Sequence, residues 1–257
     1  MHKTVFSLAL IPAFILAATA TGAAAQDATT FSFPGLSGQQ IFSGSRSRGS
    51  LAVQVLLDQS GHSPGVIDGV TGGNTVRAIK AFQRANGMDA DGKVSHALLQ
   101  KLRQTYSGEL LQRYTVTSED VAGPFVTVPQ DMEGQAELDT LGFENPAEAL
   151  AEKFHMAQSF LKALNPGADF GSAGTEITVI VPGKNDVGAK LARIEVDKAG
   201  SSVRAFAADG KLVATYPATI GSSTFPSPDG SMEVTAVRPP RLTTSTPKDA
   251  IGGLTRS

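Results

Sequence analysis

The chain has 257 residues, no cysteine and a formal net charge of -2 at pH 7, which excludes a disulfide framework, a thiolate nucleophile and a thiolate metal site. A sequence pI of about 6.1 gives no electrostatic case for nucleic acid as a partner. The length allows one to three small domains. Met1, His2 and Lys3 form a basic start to the apolar run "VFSLALIPAFILAATA", and Ala23, Ala24 and Ala25 supply an A-x-A site before Gln26. This is the layout of a cleaved signal peptide over residues 1–25. The run is short and broken by Pro12, so an anchor is disfavoured, and no other stretch is apolar enough to span a bilayer. A periplasmic or secreted location follows, with no membrane partner after cleavage. Residues 26–50, ending in "SGSRSRGS", have the Gly/Ser-rich composition of a flexible linker.

Residues 51–105 hold three short helical patterns divided by Gly-rich turns. Thr75, Ala78, Ile79 and Phe82 recur at i, i+3, i+4, i+7 and define the buried face of the middle helix, with Arg77, Lys80 and Arg84 away from it. Asn74 is the expected N-cap, Gly87 the expected left-handed terminator, and Ser95 the cap of the third helix. Asp68-Gly69 and Asp91-Gly92 read as tight turns. The segments "GHSPGVIDGVTGGNTVRAIKAFQRANGM" and "DGKVSHALLQKL" resemble the peptidoglycan-binding domain of cell-wall enzymes. That resemblance implies a three-helix unit with peptidoglycan, through its glycan strands or stem peptides, as partner. Gln83, Arg84 and Asn86 are its candidate contacts. His62 and His96 have no acidic partner at ligand spacing, so neither is expected to hold a metal.

Residues 106–182 read as an α/β region. In "ENPAEALAEKF", Asn145 caps a helix, Pro146 occupies its first turn and Glu148 completes a capping box. A second helix runs through Phe160, Leu161 and Leu164 to "NPG", and "TEITVIVP" follows as a β-branched strand. The order helix, helix, "LNPG", strand is similar to a LysM-type wall-binding module, although the opening strand of that module is not evident just before Asn145. His155, between the helices, reads as a turn or packing residue.

From Ala189 the period becomes two. Ile194 and Val196 alternate with Arg193, Glu195 and Asp197, the pattern of a half-buried hairpin strand. Residues 189–237, carrying "IEVDKAGSSVRAFAADGKLVATYPATIGSSTFPSPDGSMEV", resemble the first strands of the β-rich catalytic domain of L,D-transpeptidases, the YkuD-type enzymes that cross-link peptidoglycan. The family acts through a cysteine thiolate activated by a histidine, in a His-Gly segment and a Ser-x-Gly-Cys-x-Arg loop. This sequence has no cysteine, and its last histidine is His155, so no catalytic residue is carried over. Residues 238–257 contain no aromatic residue where the family has an aromatic-rich segment, and they read as an aberrant tail from a truncated or frame-shifted chain.

The expectation is therefore a multidomain protein: a three-helix peptidoglycan-binding domain, a LysM-like α/β region, and an incomplete β-rich transpeptidase domain. Its function is that of a peptidoglycan-binding wall protein of the L,D-transpeptidase family, inactive in cross-linking, or alternatively a binding protein with no catalytic role. A wall hydrolase is disfavoured, because paired acids and clustered histidines are absent. No cofactor and no metal are expected.

Overall fold

The computed structural model describes residues 42, 44–129, 131, 134–135, 138, 142–184 and 186–236, and the backbone of Leu254–Arg256. The expectations for the signal peptide and for most of residues 26–43 and 238–257 lie outside the described residues. Three helices come first: α1 (Arg48–Gln59), α2 (Gly73–Ala85) and α3 (His96–Thr105). Ser47 caps α1 by accepting from the Ser50 amide, so order begins a little before the expected end of the linker. Arg46 lies over the Phe160 ring, 5.5 Å from its centroid. Ser95 caps α3 as expected. Asn74 does not cap α2: Gly72 stands at the N-cap with no side-chain acceptor, and Asn74 sits in the first turn, where Arg77 donates to it. With Gly72 and Gly73 adjacent, the backbone turns without help from a capping side chain.

Two buried glutamines fasten the two Asp-Gly turns in the same way. On α1, Gln54 Nε2 donates to Asp68 Oδ1 at 2.9 Å and Oε1 accepts from the Gly69 amide at 2.8 Å. On α2, Gln83 Nε2 donates to Asp91 Oδ1 at 2.8 Å and Oε1 accepts from the Gly92 amide at 2.9 Å. In each turn the aspartate also accepts from the amide two residues on, and the glycine has positive φ, 79° at Gly69 and 75° at Gly92. The helical unit is thus an internal near-repeat of helix, buried glutamine, Asp-Gly turn and helix.

The next unit opens with β1 (Leu111–Thr115), which pairs antiparallel with β2 (Glu176–Ile180) across Leu111↔Ile180 and Thr115↔Glu176. No strand lies just before Asn145, and β1 stands well upstream of it. Between the strands come α4 (Ser118–Ala122), α5 (Pro146–Lys153) and α6 (Gln158–Leu164). Asn145 caps α5 by accepting from the Glu148 amide at 3.0 Å. Glu148 itself reaches back to the Glu144 amide at 2.7 Å, one residue beyond the expected capping box. The reciprocal box belongs to Thr117 and Asp120 on α4. Burial works to raise the Asp120 carboxyl, but hydrogen bonds from Lys153, Tyr114 and Thr117 outweigh it and hold the group at about 2. Asn165 of "LNPG" is buried and clamps β2, accepting from the Thr178 amide at 2.6 Å and donating to its carbonyl at 2.8 Å.

Helical unit and α/β unit share one apolar core. Leu51, Leu56, Ile67, Ile79, Phe82, Leu102, Leu150, Phe160, Leu161 and Ile177 all belong to it. Ile67 bridges to Met156, its amide donating to the His155 carbonyl at 2.8 Å while its carbonyl accepts from the Ala157 amide at 2.9 Å. His155 Nδ1 meets the buried Asp58 carboxylate at 2.9 Å, and the Gly183 amide donates to the same oxygen at 2.6 Å. A Cβ at Gly183 would stand 2.3 Å from the Asp58 carbonyl oxygen, so only glycine permits this approach. His155 is accordingly more than packing: it joins the two units, from a backbone with φ of 54°.

A meander follows: β3 (Leu191–Asp197), β4 (Ser202–Ala207) and β5 (Leu212–Pro217), in the order β3-β4-β5. Asp209-Gly210 turns β4 into β5 with φ of 80° at the glycine. The meander meets the helices through β5, where the Ser63 amide donates to the Thr215 carbonyl at 2.8 Å and the Thr215 amide to the Gly61 carbonyl at 3.0 Å. Ile194 and Val196 are 55% and 57% exposed, not half-buried as their alternation predicts. Alternation fixes which side chains share a face; β3 is an edge strand, and no described segment covers that face. Finally β6 (Met232–Val234) pairs antiparallel with β7 (Leu254–Arg256), so the expected aberrant tail contributes a strand.

Candidate wall-binding surface

α2 places the sequence-derived contacts on different sides. Its apolar stripe buries Thr75, Ala78, Ile79 and Phe82, with the Phe82 ring 5.8 Å from the edge-on ring of His62. Gln83 is only 3% exposed and both ends of its amide serve the Asp91-Gly92 turn. It therefore shapes the surface from below. Arg84 and Asn86 are exposed, with the Asn86 side-chain amide donating to the Phe82 carbonyl at 2.8 Å.

Arg77, Lys80 and Arg84 follow one another at i, i+3 and i+7, a single stripe of the helix. Gly92 lies under the Lys80 stem, where a Cβ would come within 2.8 Å of Lys80 Cε. The stripe runs toward a shallow groove of about 370 Å³ at the start of α2, bounded by Pro64, Val66, Asp68, Val70, Asn74 and Arg77. Val66 is exposed there. Because α2 has no side-chain cap, its first-turn amides face the groove end with the positive pole of the helix. The arrangement suits a ligand with carboxylates and flat apolar or sugar faces. The stripe is legible in the sequence as a polar face, whereas the groove depends on how 64–72 folds back and is signalled only by the paired glycines before Asn74.

The histidines are dispersed. His62 is buried, burial lowers it to about 4, and its Nδ1 lies 3.3 Å from the Thr215 hydroxyl. His96 is exposed at the start of α3. Among the described residues no group of three His, Cys, Asp or Glu side chains is placed to hold a metal ion. Among the same residues no helix is long and apolar enough to cross a membrane.

Residues 49–102 match the family described as "Putative peptidoglycan binding domain". A peptidoglycan-binding domain is therefore present, and it comprises α1, α2 and most of α3. The chain is also similar to the "Putative OxPP cycle protein OpcA" of Synechocystis sp., at 33% identity over 134 residues. That similarity takes in 50% of this chain and spans 24% of the relative's length.

Proposed function

We propose that this chain is an exported peptidoglycan-binding protein that attaches to the cell wall through the outer face of α2. The observation that carries this reading is the matched unit at 49–102, whose exposed helix presents Arg77, Lys80 and Arg84 beside a shallow groove of mixed polar and apolar lining. Peptidoglycan stem peptides carry carboxylates, and the stripe is their electrostatic complement. Arg84 and Asn86 make the direct contacts in this proposal, and Gln83 holds the turn beneath them. The α/β unit, with a strand, two helices and the "LNPG" strand entry, is proposed as a LysM-like second contact.

The meander is proposed as kin to the early strands of an L,D-transpeptidase domain, on the strength of the residues from Ile194 to Val234. Cross-linking of that kind needs a thiolate beside a histidine. The sequence supplies no cysteine, so the residues in hand bind the wall without joining its peptides. Sedimentation with insoluble sacculi tests the attachment. The chain is expected in the pellet at low salt and in the supernatant once Arg77, Lys80 and Arg84 are all replaced by alanine. A chain that stays wholly soluble at low salt overturns the proposal.

A further inference from the structure

A second cleft, of about 380 Å³, lies where the three parts of the molecule meet. Its walls come from the end of α1 (Asp58 to Gly61), the end of α3 (Thr105 and Tyr106), the loop after β2 and strand β5. Tyr106 is fixed, its hydroxyl donating to the Glu109 carbonyl at 2.9 Å. Tyr216 rises from β5 with 43% of its surface exposed. Most polar groups of the walls are already engaged. The Gln59 amide donates to the Val181 and Pro182 carbonyls at 2.9 Å each, and the Ser60 hydroxyl to the Leu57 carbonyl at 2.7 Å. Asp58 holds His155 and the Gly183 amide.

Two groups at the rim are differently placed. Lys184 is exposed and finds no carboxylate among the described residues. Asp186 accepts from the Gly188 amide at 2.9 Å through Oδ1 and is exposed, with no cation paired to it among the described residues. A positive and a negative group thus stand two residues apart in the lining of a cleft to which Tyr106 and Tyr216 also contribute. A glycan strand requires an array of hydrogen-bonding partners, which these walls have already committed. A phosphate or polyanion meets Asp186 as a like charge. The volume falls in the range of small-ligand pockets.

We infer that this junction cleft binds a short zwitterionic peptide, one bearing an amine and a carboxylate close together, with Lys184 taking the carboxylate, Asp186 the amine, and Tyr106 and Tyr216 flanking the chain. This rests on the wall-binding proposal above, since a stem peptide of the wall polymer is the source of such a group, and it adds a peptide-reading site apart from the α2 face.

The test titrates the full chain, with Arg77, Lys80 and Arg84 replaced by alanine so that the α2 face does not contribute, with a disaccharide-tetrapeptide released from sacculi by a muramidase, and separately with chitotetraose, by calorimetry. Binding of the tetrapeptide but not of chitotetraose is expected. Lys184→Ala and Asp186→Asn, both exposed loop changes, should each weaken it about fivefold, the scale of one exposed charge pair. Made singly in the otherwise wild-type chain, both variants should still sediment with sacculi. Tetrapeptide affinity unchanged in both variants, or matched by chitotetraose, overturns the cleft while leaving wall attachment intact. A wild-type chain that fails to sediment overturns the attachment reading instead.

Discussion

The helical and α/β units and the C-terminal meander put their apolar residues to opposite use. The first two bury Phe82, Phe160, Leu51, Leu57 and Ile177 in one continuous core. The meander fully buries little beyond Ala205, Ala214, Ser202 and Thr215, and leaves Ile194, Val196 and Tyr216 in contact with solvent. Apolar residues stabilise in proportion to the area removed from water, and three strands alone cannot remove much. The helical and α/β units form one body around a shared core, whereas the sheet touches that body along β5.

The sharpest way to break this contrast is Phe82→Ala, which should cost about 3–5 kcal/mol as a large-to-small change in a packed core. Urea unfolding followed by circular dichroism should then show loss of helix across α1 to α6 together, because the core is shared. If α5 and α6 keep their stability, the two units are independent after all. Next in size is the acid limb. Burial places His62 at about 4 in the folded chain against 6.5 when exposed, so its contribution is present above 6.5 and is lost as pH falls through about 4. The difference is worth about 3 kcal/mol. The urea midpoint should decline between pH 6.5 and 4, and His62→Gln should flatten that decline.

Asp58→Ala should cost about 2 kcal/mol, since it strands the Gly183 amide and the His155 ring. The Asp58 hydrogen bond raises His155, burial opposes it, and Glu152 adds to the rise. This contribution is complete below about 6.5 and is lost as pH climbs through the raised folded value. A double comparison of Asp58→Ala and His155→Gln at pH 6 and 8.5 should show coupling that shrinks at the higher pH. Smallest of all should be Ile194→Thr with Val196→Thr, within about 0.5 kcal/mol, as for surface changes generally. A large loss there would mean that the exposed face of β3 is covered in solution.

The amphipathic stripes of α2 and α5 were legible because each buries one face against a close sequence neighbour. Strand β1 was not: "LQRYT" shows no clean alternation, and its partner lies beyond two helices, so only tertiary pairing defines it. Gln54 and Gln83 carried a readable signal that residue type disguised. Glutamine is usually exposed, and the repeat of glutamine ahead of Asp-Gly was what marked both as interior. The exposure of β3 was invisible for the opposite reason. A period of two orients side chains but says nothing about what lies above them.

The docking of β5 has a mechanical consequence. The meander is held to the helices by the two backbone hydrogen bonds at Thr215 and by the His62 contact with its hydroxyl, while the units upstream are interlocked through their interior. Load applied from the C-terminal side would reach the helices through β5 and Thr215 before it reached the shared core.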